Sequence, residues 1–474
     1  MADPTLQFVN RGQAYPDKRA ADDRADDFRE IADRYAVPDA EAQAGRCSQC
    51  GVPYCTVHCP LHNHIPDWLR LTAEGRLREA YELSNATSTM PEICGRICPQ
   101  DRLCEGNCVI EFSGHGAVTI GAVEKFITDT AWEEGWVEPL VLGRARGQSV
   151  GVIGAGPAGL TAAELLRVRG YDIHVYDRHD RAGGLLTYGI PGFKLEKPVV
   201  MRRVERLRAG GIVFHHGFEI GRDASLDDLR SRHDAVVIAT GVYRPRPLGL
   251  DDQGAHGVVA ALDYLTASSR KGFGDAVAGF DDGTLDAAGK RVVVIGGGDT
   301  AMDCLRTAVR QGAASVTCLY RRDRANMPGS QREVANAEEE GVTFEWLSAP
   351  TAICADGRVG AVRMRLGAAD ASGRRAPEPE PGSDFTLDAD LVIAALGFDA
   401  EDLPTLFDAP DLRVSRWGTV TIDVATAMTN LPGVFAAGDI VRGASLVVWA
   451  VRDGRDVAAQ IHSWLQARDQ RAAA

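Results

Sequence analysis

Eight cysteines crowd into one short stretch of this chain. The sequence has 474 residues and 11 cysteines, of which eight lie between Cys47 and Cys108. Thiolate sulfur is a soft ligand that suits zinc and iron–sulfur clusters. In a reducing compartment, clustered thiols favour metal binding over disulfides. The stretch is therefore predicted to be a local metal-binding module.

The spacing of these cysteines favours iron. Their order is Cys47-x2-Cys50-x4-Cys55-x3-Cys59-Pro60, then Cys94-x3-Cys98-Pro99, Cys104 and Cys108. Bacterial ferredoxins end their cysteine run with Cys-Pro, which occurs here twice. Their x2 gap is x4 at one point in this chain, so their ligand assignments do not transfer directly. A zinc site built on Cys47, Cys50 and two further thiolates is the alternative.

Eight thiolates suffice for two four-iron clusters. In two-cluster ferredoxins, the late cysteine of each run ligates the other cluster. By analogy the thiolates divide into two sets, which are Cys47, Cys50, Cys55 and Cys108, and Cys59, Cys98 and Cys104. The fourth ligand of the second set is either Cys94 or a carboxylate from the helix that follows.

A glycine motif predicts a first dinucleotide site. Gly154, Gly156 and Gly159 form G-x-G-x-x-G directly after the apolar run SVGVI. These glycines allow a tight turn, backbone approach to a pyrophosphate and close helix–strand packing. Asp177 closes the next predicted strand, 23 residues after Gly154. A carboxylate at that place binds ribose hydroxyls and repels a 2′-phosphate.

A second glycine motif predicts a different dinucleotide. Gly296, Gly298 and Ala301 form G-x-G-x-x-A after the run RVVVI. The following predicted strand ends in Arg321 and Arg322 rather than in an acid. Guanidinium groups at that place suit the 2′-phosphate of NADP. The alternative is that these arginines, and still more Arg324, belong to a solvated turn.

The elements that position these residues change in character near Gln148. Before it, charged and helix-forming residues predominate, and Leu69–Leu83 has the apolar spacing of one amphipathic helix. The charged stretch Asp22–Glu30 is predicted to be a solvated helix face. After Gln148, short Val- and Ile-rich runs alternate with helical stretches, as in parallel βαβ units. The runs are SVGVIGAG, DIHVYDR, DAVVIATG, RVVVIGGG, SVTCLYRR, DLVIAALG and GVFAAGD. Gly367–Phe385 is predicted to be a surface loop or hairpin tip.

These patterns predict the fold class α/β, with two Rossmann-like dinucleotide-binding domains and an N-terminal, mainly helical iron–sulfur domain. Charged residues make up 25% of the chain and the net charge is −14, which argues against a basic nucleic-acid binder. No apolar run approaches the roughly 20 residues of a membrane helix. The first residues lack the apolar core of a secretory signal. We expect a cytoplasmic protein that binds neither nucleic acid nor membrane.

The order of the motifs resembles the two-dinucleotide-binding-domain flavoprotein family. The second glycine motif stands between an ATG at Ala239–Gly241 and a late Gly438–Asp439. The resemblance implies an FAD site made of Gly154, Gly156, Gly159, Asp177, Gly183, Gly184, Leu185, Gly438 and Asp439. It implies an NADPH site made of Gly296, Gly298, Ala301, Arg321 and Arg322. It also implies a 4Fe–4S domain (1–145) and an FAD domain (146–250 and 400–474) interrupted by an NADPH domain (251–399).

Longer segments resemble the small (β) subunits of bacterial NADPH-dependent glutamate synthases. They are CSQCGVPYCTVHCPLHNHIPDWL, ICGRICPQDRLCEGNC, GGLLTYGIPGFKLEK, YRRDRANMPGS and GVFAAGDIVRGASLVVWAVRDGR. That family implies a subunit that oxidises NADPH and passes electrons through FAD and two 4Fe–4S clusters. The implied partner is a large, FMN-containing α subunit, which converts glutamine and 2-oxoglutarate to two glutamates. The related cluster domain of dihydropyrimidine dehydrogenase uses a non-cysteine ligand in the matching segment, which makes Glu124 the carboxylate candidate.

Little of the chain is left for a substrate-binding domain, which also favours an electron acceptor on another polypeptide. The cysteine module and the two nucleotide domains take up nearly all residues, and electron transfer requires no side-chain nucleophile or base. The runner-up function is a reductase subunit that serves a pyrimidine dehydrogenase or a ferredoxin. A disulfide reductase would need a dithiol beside the flavin, whereas the only C-x-x-C lies at Cys47–Cys50. A zinc-stabilised assembly protein would contain zinc and neither iron nor flavin.

Overall fold

The computed structural model describes residues 4–250, 258–354, 357–369 and 375–473. The strands are β1 (Ser149–Ile153), β2 (Asp172–Asp177), β3 (Val213–His216), β4 (Ala235–Ile238), β5 (Arg244–Pro245), β6 (Val258–Ala260), β7 (Arg291–Ile295), β8 (Ser315–Tyr320), β9 (Thr343–Trp346), β10 (Ser348–Ile353), β11 (Arg358–Ala369), β12 (Arg375–Asp388), β13 (Leu391–Ala394), β14 (Phe398–Asp399) and β15 (Val434–Ala436).

Helices precede, connect and follow these strands. They are α1 (Gln7–Asn10), α2 (Ala21–Ala25), α3 (Val37–Ala44), α4 (Tyr54–His58), α5 (Ile65–Ala73), α6 (Leu77–Asn85), α7 (Pro91–Ile97), α8 (Val109–Phe112), α9 (Ile120–Glu133), α10 (Pro157–Val168), α11 (Leu185–Tyr188), α12 (Lys197–Ala209), α13 (Leu226–Arg232), α14 (Ala261–Gly272), α15 (Ala278–Asp281), α16 (Asp299–Arg310), α17 (Gln331–Glu339), α18 (Leu403–Leu406), α19 (Asp439–Arg442) and α20 (Val447–Ala473). Short 3-10 turns lie at Pro4–Leu6, Gln100–Arg102 and Arg324–Asn326. Within the described ranges, no helix has the length and apolar character needed to cross a membrane.

The first sheet is parallel, with the strand order β15-β4-β1-β2-β3. Its inner strands β1 and β4 are almost wholly buried aliphatic runs, as expected where helices cover both faces of a sheet. Helix α20 packs on α10, and a Cβ added to Gly454 would lie 2.3 Å from the Ala158 carbonyl oxygen. The sheet thus combines strands from two distant parts of the chain.

The second sheet is also parallel, with the order β6-β13-β7-β8-β9, and it lies in sequence between β4 and β15. The antiparallel ribbon β5–β14 pairs the chain segments that enter and leave this insertion. The predicted α/β class with two Rossmann-like sheets is confirmed. An antiparallel sheet, β10-β11-β12, is added to it. Most of Gly367–Phe385 belongs to β11 and β12, and 370–374 lie outside the described residues.

The N-terminal part is helical, as predicted, around buried Trp68 and Phe126. The single helix predicted over Leu69–Leu83 is wrong, because α5 ends at Ala73 and α6 begins at Leu77. Gly75 between them has φ +72, a left-handed conformation that glycine adopts readily and that ends a helix.

Buried ion pairs hold the helical part against both sheets. Asp22–Glu30 is only in part a solvated helix face, because α2 ends at Ala25 and Arg24 is 1% exposed. Its guanidinium pairs with Glu340 at 3.3 Å, at the end of α17 beside the second sheet. Arg203 of α12 binds both carboxylate oxygens of Glu92 on α7, at 2.8 and 2.9 Å. Buried charges require partners of this kind.

Candidate functional site

The β1–α10 turn has the shape that a dinucleotide requires. Gly154 has φ +107, and a Cβ there would lie 2.4 Å from the Ala239 carbonyl oxygen. A Cβ on Gly159 would lie 2.0 Å from the Gly154 carbonyl oxygen. Gly156, which caps α10, has no described atom within 4 Å of a Cβ position. The turn therefore leaves open the backbone that would face a phosphate at a helix N-terminus.

Asp177 lies at the end of β2 and is buried against this turn. Its carboxylate accepts hydrogen bonds from the backbone N–H groups of Ala155 at 2.6 Å and His179 at 2.8 Å. Together with Tyr243, it lines a cavity beside this turn. The Arg178 guanidinium stacks over the Tyr243 ring at 4.8 Å. These two lining residues were not predicted from the sequence, because neither belongs to a recognisable motif.

Gly183 and Gly184 form the wall opposite the glycine turn. Their φ angles are +114 and +55. The Gly183 N–H donates to the Ala155 carbonyl oxygen at 2.8 Å, and a Cβ on Gly184 would lie 2.9 Å from the Gly156 Cα. Leu185 begins α11 directly afterwards. Larger residues at these two positions would close the space between the segments.

Two buried oxygen atoms at the edge of the first sheet have unused hydrogen-bonding capacity. Asp439 begins α19 after Gly438, whose φ is +79. Burial raises the pKa of Asp439 to about 7. Its Oδ1 and the Oγ1 of Thr240, after β4, lack hydrogen-bond partners among the described residues. Because buried polar atoms are nearly always paired, both atoms fit a bound group rich in hydroxyls, such as FAD.

The β7–α16 turn repeats the geometry of the first glycine turn. Gly296 has φ +147, and a Cβ there would lie 2.3 Å from the Ala395 carbonyl oxygen. Ala301 is fully buried in the first turn of α16. Gly298 caps the helix and has no described atom within 4 Å of a Cβ position. The three residues predicted to hold NADPH thus lie together in one open turn.

Arg321 and Arg322 follow the end of β8. Arg321 is exposed and Arg322 is partly buried. The Nε atom of Arg322 is buried without a hydrogen-bond partner among the described residues, and neither guanidinium pairs with a carboxylate there. Arg324, in contrast, pairs with Glu338 at 2.8 Å. The two unpaired guanidinium groups fit a phosphate ligand.

The structure brings the first set of four thiols together. Cys55 lies in α4, and Cys108 caps α8. Burial, together with the neighbouring Cys47 and Cys108 thiols, raises the pKa of Cys55 to about 12. Burial likewise raises the pKa of Cys47 to about 11, with Cys108 and Cys50 nearby. Thiols in such surroundings become thiolates when a metal stabilises the negative charge.

The second set lines a cavity. Its lining includes Cys59, Cys94, Cys98, Cys104 and Glu124. Zinc would require thiolates about 2.3 Å from a single point. In the part of the chain that the structure describes, no group of three or more His, Cys, Asp or Glu residues could hold a single metal ion. The five candidate ligands that line this cavity exceed the four that a structural zinc site uses.

Both candidates for the fourth ligand face this cavity. Cys94 lies on α7. Its hydrogen bond with Cys98 raises the pKa of the Cys98 thiol well above its ordinary value, and burial of Cys98 also raises it. Glu124 lies on α9 and accepts a hydrogen bond from the Ser84 hydroxyl at 3.1 Å. Burial raises the pKa of Glu124 to about 8. Glu124 has no ion-pair partner among the described residues, which fits a carboxylate that binds a cluster.

One helix connects the two kinds of site. Val448, in the first turn of α20, lines the cavity of the second cysteine set. Helix α20 begins at Val447, eight residues after Asp439. Val448 and Cys94 also belong to the same buried apolar core as Ala155 and Ala158 of the first glycine turn, so the predicted flavin site and the predicted second cluster adjoin one core.

Two sequence families match successive parts of the chain. Residues 24–136 match a family described as dihydropyrimidine dehydrogenase domain II, 4Fe-4S cluster. Residues 148–454 match a family described as pyridine nucleotide-disulphide oxidoreductase. The first match covers the cysteine module, and the second covers both glycine motifs.

Individual relatives match nearly the whole chain. The glutamate synthase (NADPH) small chain of Azospirillum brasilense is 64% identical over 466 residues, which cover 98% of this chain and 97% of the relative. That of Escherichia coli strain K12 is 47% identical over 479 residues, covering 98% and 100%. Mycobacterium tuberculosis FprA in complex with NADPH has a TM-score of 0.57 at 20% identity, covering 69% of this chain and 86% of that chain, and shows the fold alone. The chain belongs to the family of glutamate synthase (NADPH) small chains and, over residues 148–454, to the pyridine nucleotide-disulphide oxidoreductases.

Proposed function

We propose that this chain is the NADPH-oxidising electron-input subunit of a glutamate synthase. In this proposal residues 1–145 hold two 4Fe–4S clusters, 146–250 and 400–474 hold FAD, and 251–399 hold NADPH. The boundary at 251 falls in 251–257, outside the described residues. When bound, FAD would accept a hydride from NADPH, and the clusters would carry single electrons onward.

The observation that carries this proposal is that Val448 lies at the second cysteine set and in the same buried core as the first glycine turn. It lines the cavity of the second cysteine set, at the start of the helix that follows Asp439. A flavin held by the Gly154–Gly159 turn and Asp439 would thus lie beside a cluster held by Cys59, Cys98, Cys104 and Glu124. The role of these residues is to bind and orient the redox groups, and we assign no side chain as nucleophile or base.

Several exposed apolar side chains lie close in sequence to cysteines of the first set. Near the first cysteine set, Val52, Tyr54, Val57, Val109 and Phe112 are 60%, 48%, 53%, 38% and 71% exposed. Each lies within four residues of Cys50, Cys55 or Cys108. Exposed apolar patches of this kind mark interaction sites. We name these five residues the exit patch and propose that it binds the large, FMN-containing subunit.

NADPH selectivity tests the nucleotide assignment. Replacing both Arg321 and Arg322 with Ala should raise KM for NADPH about 100-fold while changing KM for NADH little, since charge-assisted hydrogen bonds contribute about 1.5–3 kcal/mol each. The measurement is reduction of a tetrazolium dye by the purified chain. Arg324→Ala is the matched control, because that guanidinium already pairs with Glu338. Equal use of NADH and NADPH by the unaltered chain would contradict the assignment.

Association with the large subunit tests the exit patch. Phe112→Asp should weaken binding at least tenfold, because loss of a large apolar interface residue costs about 2 kcal/mol or more at a binding hot spot. Dye reduction by the isolated variant should stay unchanged. Val424→Asp is the control, because Val424 is 93% exposed and lies far in sequence from the cysteines. Undiminished binding of the Phe112 variant would exclude the patch, and electron delivery only to a ferredoxin would favour the runner-up function.

A further inference from the structure

Arg102 connects the cysteine module to the second glycine turn. It lies in the 3-10 turn Gln100–Arg102, between Cys98 and Cys104. Its guanidinium donates to the Pro328 carbonyl oxygen at 2.8 Å and to the Asp299 carboxylate at 3.1 Å. Asp299 is the first residue of α16. A residue flanked by predicted cluster ligands therefore reaches the turn predicted to bind NADPH.

The two hydrogen-bond acceptors of Arg102 lie in chain segments that are themselves hydrogen-bonded to each other around the turn. The Gly329 N–H donates to the Gly297 carbonyl oxygen at 2.9 Å. The Ser330 N–H donates to Asp299 Oδ1 at 2.9 Å. Gly298 precedes Asp299, and a Cβ built on Gly298 would have no described atom within 4 Å. Arg102 thus lies at the rim of the open backbone where a diphosphate would approach.

A diphosphate that binds at this rim would meet the negative charge of the Asp299 carboxylate. The Asp299 carboxylate favours the N-terminus of α16 but repels a diphosphate at the same place. Arg102 pairs with that carboxylate, and its side chain is 43% exposed. Arginine has five N–H donors, and two of them make the bonds to Pro328 and Asp299. Donors on the same guanidinium are left for a further anion.

We propose that Arg102 is an NADPH-binding residue that donates to the diphosphate, so that the iron–sulfur part of the chain completes the NADPH site. The inference rests on the proposed NADPH-oxidising function. It assigns to the cysteine module a contribution to substrate binding in addition to its clusters. Arg102 and the pair Arg321 and Arg322 would then bind different phosphates of one molecule.

Two ligands separate this role from a purely structural one. NADP⁺ contains the diphosphate and the 2′-phosphate, whereas 2′-AMP contains only the latter. In the full chain with its cofactors, Arg102→Ala should raise Kd for NADP⁺ about tenfold, as expected for a lost charge-assisted hydrogen bond at a partly exposed site. Kd for 2′-AMP should change less than twofold. Isothermal titration calorimetry measures both constants.

Matched variants complete the experiment. Arg102→Lys, which keeps the charge, should recover part of the NADP⁺ affinity. Arg78→Ala should leave both constants unchanged, because Arg78 is a similarly exposed arginine of the same part of the chain that pairs with Glu138 at 3.0 Å. Iron content and flavin absorbance verify each variant. If the alanine variant loses iron, Arg102→Gln tests the same contact with less change of shape.

Two results would overturn the proposal. Unchanged NADP⁺ affinity in the Arg102 variants would show that the guanidinium does not contact the diphosphate. Equal weakening of NADP⁺ and 2′-AMP would show that Arg102 only maintains the shape of the turn. An unaltered chain that binds NAD⁺ as tightly as NADP⁺ would contradict the proposed function instead, since NAD⁺ also carries a diphosphate.

Discussion

Single residues with unusual surroundings define the sites of this chain. Cysteines and glycines were predictable from sequence, because metal ligation and positive φ angles restrict the residue type. Arg24, Arg102 and Tyr243 were not, because their partners are distant in sequence. Arg24 was predicted to face solvent, yet its partner Glu340 lies more than 300 residues away. The spacing of residues in the sequence does not predict contacts between such distant positions.

The fourth ligand of the second cluster is a question for single substitutions. We predict that Glu124→Ala lowers the iron content from about eight toward about four atoms per chain, since one of two four-iron clusters loses a ligand. Cys94→Ala should retain about eight. Iron and acid-labile sulfide analysis of the purified variants measures this. The opposite result would assign the ligand to Cys94.

Among the strands and helices, the degree of burial decides which elements can be predicted from the sequence. The inner strands β1, β2, β4, β7, β8 and β13 were predicted as Val- and Ile-rich runs, because inner parallel strands are buried on both faces. The edge strand β15 was predicted as well, because its residues Val434–Ala436 are all buried apolar residues. The edge strands β3, β6 and β9 were missed, since they are only partly buried and lack such runs. The break between α5 and α6 was missed because one glycine interrupts an otherwise continuous apolar period.

The first glycine turn allows a matched pair of substitutions. Gly156→Ala adds a methyl group to open space, so we predict weaker FAD binding with unchanged thermal stability of the flavin-free chain. Gly159→Ala places a methyl group 2.0 Å from the Gly154 carbonyl oxygen. It should destabilise the fold by about 1–3 kcal/mol, as overpacking does. Flavin content and melting temperature measure the two effects, and a Gly156 variant that lost stability but kept FAD would refute the assignment.

At the scale of the whole molecule, the cysteine module is joined to both nucleotide-binding parts. Arg203 and Glu92 join it to the first sheet's helices, and Arg24 and Arg102 join it to the second sheet's side. Because these contacts are ionic and several are buried, the parts have defined relative positions. Electron transfer between sites needs such fixed distances.

The Arg203–Glu92 pair offers a test of this junction. Glu92→Ala leaves a guanidinium buried without its partner and should lower the free energy of unfolding by about 3–5 kcal/mol. The double variant Glu92→Leu with Arg203→Met should regain most of that loss, because no buried charge is left. Hydrogen exchange in α7 and α12 reports the local effect. Equal destabilisation by the single and double variants would show that packing, rather than charge, dominates the junction.

The late position of β15 in the chain also orders the events of synthesis. The first sheet lacks this strand until residues 434–436 have left the ribosome, whereas β6 to β13 are available earlier. Because domains fold as units during synthesis, the inserted unit is complete before the one that encloses it. Asp439 and Val448 emerge later still. During synthesis, the unit proposed to bind NADPH is therefore expected to be complete before the unit proposed to bind flavin.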